Sequence, residues 1–226
     1  MSGNNFISGI SGPRKLADRV YLMIEQAIIS HELKPGEEVT ESSLAERLET
    51  SATPIREAIS RLIAEGLMEK VPNKPPRVIK LDQKEVSELY SLRSSLETLA
   101  VTTAMKNITP KNLKDLKTIL AKLDASAEDD ELEEYRKHNK MFHDEILKIA
   151  DNRFLKEMMY AIQQKIQICV TSTVYIPKLH QMGQLFHKQI VELLQGGNVH
   201  TARTTMFKYY EELIQYINDH YDEIIV

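Results

Sequence analysis

The spacing of apolar residues changes twice along this chain, and the two changes divide it. From Arg14 to Ala64 apolar side chains recur every three or four residues, the period of helices with one buried face. Leu67 to Val71 and Arg77 to Lys80 are then short β-compatible runs, separated by Pro72-Asn73-Lys74-Pro75-Pro76, a stretch that regular structure does not admit. Beyond about Leu81 the helical period returns and holds nearly to the end, with strand-type alternation almost absent. This order predicts a mainly α protein. A winged helix-turn-helix occupies residues 13–80, and an all-α antiparallel helical bundle follows over 81–226. Two domains suit a chain of 226 residues. Residues 1–12, rich in Gly, Ser and Asn and without the apolar core of a secretory signal, read as a disordered leader.

The first part is legible in detail. Leu16, Val20, Ile24 and Ile28 form a stripe on the first helix. Lys34-Pro35-Gly36 breaks the chain, and Thr40 or Glu41 opens a short helix through Leu48, with Leu44, Ala45 and Leu48 facing in. After the tight connection Glu49-Thr50-Ser51-Ala52, Thr53 is expected as the N-cap and Pro54 as the first residue of a helix running to about Ala64. Ile55, Ala58, Ile59 and Leu62 lie at core spacing, and Gly66 stops the helix. In the second part helices are expected at 83–107, 110–125, 130–150, 152–175, 179–196 and 198–221, with breaks at Thr109-Pro110, Glu128-Asp129-Asp130, Asp151-Asn152, Ile176-Pro177 and Gly196-Gly197. Leu89, Leu92, Leu96 and Leu99 form a stripe that reads as intradomain core.

Composition narrows the function. The formal net charge is -4, and residues 1–80 hold equal numbers of basic and acidic side chains. A nucleic-acid surface must therefore come from local segregation of charge. Thr53 and Pro54 put a helix N-terminus where such a fold meets DNA, and helix N-termini attract phosphate. Arg56, near that end, can reach a guanine edge, and Arg61 a phosphate or a second base. Lys74 and Arg77 sit on the wing, beside the minor groove. Cys169 is the only cysteine, so no intrachain disulfide forms, which suits a reducing cytoplasm. No run approaches the roughly 18 apolar residues of a membrane span. No His is preceded three residues earlier by Glu, as a helical di-metal site would need, and no nucleophile–base pairing stands out, so an enzyme is not expected.

Residues 15–80 closely resemble the DNA-binding domain of the GntR superfamily. The resemblance rests on Leu33-Lys34-Pro35-Gly36, Leu44-Ala45-Glu46-Arg47-Leu48, Ser51-Ala52-Thr53-Pro54-Ile55-Arg56-Glu57-Ala58 and Arg61-Leu62-Ile63-Ala64-Glu65-Gly66-Leu67. The helical remainder is similar to the FadR-type effector domain of that superfamily, known as FCD. The resemblance implies DNA contacts from Thr53, Arg56, Arg61, Lys74 and Arg77. Common basic positions are Ala52 and Ser42 in this chain, and the Gly of the wing tip is Pro75. So the operator sequence cannot be borrowed from relatives.

The resemblance also implies a divalent metal, of zinc or nickel type, held by one Asp and three His and helping to hold a carboxylate ligand. In this chain those places read Asn139, His143, His187 and Tyr209, a weakened set. Asn139, His143 and His187 are the candidate metal residues, and with Arg93 and Tyr209 they are the candidate ligand residues. His143 and His187 could equally hold a ligand directly or fill the core. Arg93 and Glu97 match an Arg-x-x-x-Glu pattern, either as a ligand contact or as an i, i+4 ion pair. His180 reads as exposed or at the pocket rim. Tyr209, Tyr210 and Phe207 read as core or interface aromatics, and Thr171, Ser172 and Thr173 as pocket or fraying residues. The function implied is a ligand-responsive DNA-binding transcriptional regulator, a metabolite-controlled repressor. It would bind a palindromic operator as a homodimer, take a small organic acid, and associate with no membrane. A constitutive DNA-binding protein with a degenerate pocket is the alternative, and a helical-bundle metalloenzyme a third.

Overall fold

The computed structural model describes residues 16–128, 132–174 and 176–224. The expected leader, most of the acidic break at 128–130 and the side chains of Thr171, Ser172 and Thr173 lie outside the described residues. The chain divides into two compact units between Leu81 and Asp82.

The first unit holds α1 (Leu16–Ile29), α2 (Glu41–Arg47), α3 (Ala52–Ala64), β1 (Met68–Glu69) and β2 (Arg77–Val78). Val20, Ile24 and Ile28 of α1 pack with Leu44, Ile55, Ala58, Ile59 and Leu62 in one buried core. Leu16, expected in that stripe, is 53% exposed. It stands at the first described turn, before the stripe reaches the core. Thr40 caps α2 by accepting from the Ser43 amide. The cap of α3 differs from the expectation. Ser51, with extended backbone, is the N-cap, and the helix starts at Ala52 rather than at Pro54. Thr53 therefore lies inside the first turn. Pro54 is tolerated there because first-turn amides have no intrahelical acceptor. Gly66, at φ 72°, ends α3, and the Leu67 amide donates back to the Leu62 carbonyl at 2.9 Å.

The wing is shorter than its sequence runs. β1 and β2 pair antiparallel with Met68 opposite Val78 and Glu69 opposite Arg77. A third edge was not foreseen. The Gly36 amide donates to the Val78 carbonyl, the Val78 amide to Glu37, and the Val39 amide to Pro76. The Pro35-Gly36 break thus turns the chain onto the outer side of β2, with Gly36 at φ 80°. At the tip the left-handed residue is Asn73, at φ 59°.

The second unit is a bundle of α4 (Gln83–Asn107), α5 (Pro110–Glu128), α6 (Leu132–Ala150), α7 (Arg153–Val174), α8 (Pro177–Gly196), α9 (Val199–Asp219) and a last turn, α10 (Tyr221–Ile224). Asp82 and Glu85 close a reciprocal capping box on α4. This helix is central and packs against α6, α7, α8 and α9. Its inward face mixes apolar Val86, Tyr90, Ala100, Val101 and Ala104 with polar Arg93, Ser94, Glu97, Thr98 and Thr102, all buried. The leucine stripe therefore does not form the core. Leu92 and Leu99 are each 47% exposed, and Leu89 and Leu96 are half-buried. Phe142, Phe186, Ile190, Met206 and Tyr210 supply large core side chains instead.

Candidate functional site

In the first unit, α3 follows the α2 turn with its N-terminal half exposed. Arg56 sits on that surface with its side chain 67% exposed. Its Nε and Nη2 donate to the Glu41 carboxylate at 2.8 to 3.2 Å, and the Arg56 hydrogen bond holds Glu41 below the usual carboxylate range. Arg61 donates to Asp18 at 2.8 Å, and its guanidinium also lies 4.1 Å over the Tyr21 ring. Tyr21 in turn donates to Glu25 and Glu65. On the wing Lys74 donates to Glu38 at 3.2 Å and Arg77 to Glu69. All four expected contact cations thus lie on the surface, each already paired with a carboxylate. Thr53 is exposed in the first turn of α3.

In the second unit a cavity of about 50 Å³ opens between α4, α6, α8 and α9. All five ligand candidates, Arg93, Asn139, His143, His187 and Tyr209, line it. His180, which the sequence left between exposed and rim positions, lines it too, its ring tilted against that of Tyr135 with centres 4.3 Å apart. Behind the cavity lies a charged network. Arg93 Nε donates to Glu97 at 2.8 Å, and Nη2 lies 3.3 Å from His143 Nε2. His143 Nδ1 is 3.2 Å from Glu97, and the Tyr210 hydroxyl donates to Glu97 at 2.6 Å. Burial opposes both charges, yet Glu97 holds Arg93 well above its ordinary range, and Arg93 with His143 and Tyr210 holds Glu97 well below. The i, i+4 ion pair is therefore real, and Arg93 lines the cavity at the same time.

His187 is buried, with Nε2 3.3 Å from His143 Nε2 and Nδ1 making no hydrogen bond. Burial, then His143, keeps it well below the usual imidazole value, hence neutral. Tyr209 stacks flat on Phe186, ring centres 3.6 Å apart, and burial pushes its phenol up to about 12. It is a neutral hydroxyl at any physiological pH.

This donor set does not fit a resident divalent cation. Asn139 and Tyr209 are neutral. Glu97, the one carboxylate at hand, is engaged by Arg93, His143 and Tyr210. A guanidinium nitrogen already stands beside the His143 lone pair a metal would take. Among the described residues no three His, Cys, Asp or Glu side chains come together as a metal cluster. The metal reading of Asn139, His143 and His187 therefore rests on the resemblance alone. Sequence reasoning missed Tyr135, Gly183 and Phe186. The signal was there as helical spacing, since Tyr135, Asn139 and His143 fall at i, i+4, i+8, and His180, Gly183 and His187 at i, i+3, i+7.

Comparison with known proteins gives two family matches. Residues 16–78 match the model of bacterial regulatory proteins, gntR family, and residues 88–212 match the FCD domain. The HTH-type transcriptional regulator McbR of Escherichia coli is 32% identical over 127 residues, 56% of this chain and 58% of McbR. The Nta operon transcriptional regulator of Aminobacter aminovorans is 32% identical over 139 residues, 62% of this chain and 66% of that protein. The matched stretch is thus under two thirds of either relative. The solved structure of E. coli McbR superposes with a TM-score of 0.75 at 23% identity, covering 92% of this chain and 99% of that one, which shows a shared fold.

Proposed function

The chain belongs to the FCD-domain family of GntR-type bacterial regulators, and from that premise we propose that it is a cytoplasmic, ligand-responsive transcriptional repressor. It binds a palindromic operator as a homodimer, with Arg56 reading a base and Arg61, Lys74, Arg77 and the α3 N-terminus at Thr53 holding phosphates. A small organic acid enters the cavity lined by Arg93, Asn139, His143, His187 and Tyr209. It acts by favouring one arrangement of the dimer over another, which requires different affinity for the two. The observation that carries this reading is the open, polar-lined cavity in a bundle separate from the winged helix-turn-helix. A constitutive DNA-binding protein has no use for such a cavity. No helix is long and apolar enough to cross a membrane among the described residues.

The test is fluorescence anisotropy of a labelled fragment from the gene's own upstream region, with wild type and Arg56→Ala at one fixed salt concentration. Wild type is expected to bind specifically, and Arg56→Ala to lose about tenfold or more of that specific affinity. Equal binding by both removes Arg56 as the base-reading residue.

A further inference from the structure

We infer that the cavity binds its organic anion without a metal, on the guanidinium of Arg93 with the Asn139 amide beside it. The inference rests on the regulator reading above and specifies its ligand.

The donor accounting leads there. Arg93 uses Nε on Glu97 and Nη2 on His143, and Nη1 donates to no group among the described residues. Arg93 lines the cavity whereas Glu97 does not, so this neutral pair presents its positive end to the ligand. A metal would supply the same positive charge. In its place stands a planar donor suited to carboxylates.

Asn139 is buried, and its amide makes no hydrogen bond among the described residues. It is left for the ligand's remaining oxygens.

Size sets a further limit. A cavity of about 50 Å³ holds roughly four waters, which a two- or three-carbon hydroxy acid can displace. Gly183 keeps that space. A Cβ there would stand 3.4 Å from the Tyr135 hydroxyl and 4.0 Å from that of Tyr209, both on the cavity wall. Glycine is a poor helix former, so its place in α8 favours the opening over the helix.

The experiment is isothermal titration of the full chain with glycolate, in EDTA and again with Zn²⁺; Zn²⁺ alone is titrated as well. Glycolate is expected to bind with the same Kd in EDTA and in Zn²⁺. Zn²⁺ alone should show no stoichiometric binding. Arg93→Lys should lose glycolate binding, although it disturbs a buried pair and can unfold the bundle. Gly183→Ala avoids that ambiguity, since it should melt no lower than wild type while binding glycolate about tenfold more weakly. Glycolate binding that appears only with Zn²⁺ overturns the inference, as does no binding in either buffer. Operator binding by the same preparations separates the two levels. Retained operator binding with metal-dependent glycolate leaves the regulator reading intact. Metal-free glycolate binding with no operator binding sinks the regulator reading and keeps the pocket assignment.

Discussion

Glu97 ties together three partners from three helices, Arg93 on α4, His143 on α6 and Tyr210 on α9. Removing one member of such a buried ionic set costs about 3–5 kcal/mol, because the remaining charge is stranded. Neutral His187 beside it makes stability depend on pH. In the unfolded chain His187 titrates near the ordinary value of about 6.5, while in the fold it is held well below. Between those two values the unfolded state binds more protons, so stability is whole above the unfolded value and falls as pH drops below it. Glu97, depressed in the fold, adds its own loss only lower, as pH passes down through the carboxylate range. The melting temperature by circular dichroism is expected to be flat from about pH 8 to 7 and to decline from about pH 6.5 to 5. His187→Gln should flatten the decline, and a wild type equally stable throughout would contradict the burial of a neutral imidazole. The sequence showed His143 and His187 through their place in a familiar pattern. It did not show that Glu97 would turn toward His143, because that contact depends on how α4 and α6 are seated against each other, which local spacing does not encode.

Among the elements, those bounded by Pro and Gly were legible to within a few residues, since these residues act through local sterics. α8 begins at Pro177 rather than 179, and α5 reaches Glu128 rather than 125. The third edge of the wing was not legible, because residues 36–39 carry no strand pattern and are held by β2 alone. The leucine stripe of α4 was misassigned for a related reason. Apolar periodicity identifies a face, but the face of α4 turned inward is the one that carries Arg93 and Glu97, where their charges pair. The pairing of the wing and helix cations also has a consequence for DNA binding. In the proposed complex Lys74 exchanges Glu38 for a phosphate, and the nearby carboxylate opposes that exchange. Glu38→Gln is expected to strengthen operator binding and to steepen the plot of log affinity against log salt by up to about 1. Anisotropy titrations over a range of salt concentrations measure this, and a slope identical to wild type removes Lys74 from the phosphate contacts.

For the whole molecule, the proposed homodimer would need an apolar surface. Leu92 and Leu99, facing outward from the central helix, offer one. Their exposure makes a double change cheap for the single chain, within about 0.5 kcal/mol per site. Leu92→Glu with Leu99→Glu is expected to halve the mass measured by light scattering and to weaken operator binding, since a two-fold site needs both half-sites engaged. A double variant that keeps the wild-type mass places the dimer contact elsewhere.

The central helix has one more property that matters at this scale. α4 is unbroken from Gln83 to Asn107, firmly capped at Asp82, and carries Arg93 on one side and the leucines on the other. With a rise of about 1.5 Å per residue, Arg93 lies roughly 16 Å along the axis from that cap. Helical hydrogen bonds resist torsion, so this segment behaves as a shaft. Any turn of that shaft about its axis moves the cavity face and the outward leucines together, so the cavity and the exposed apolar face of this helix are not adjusted independently.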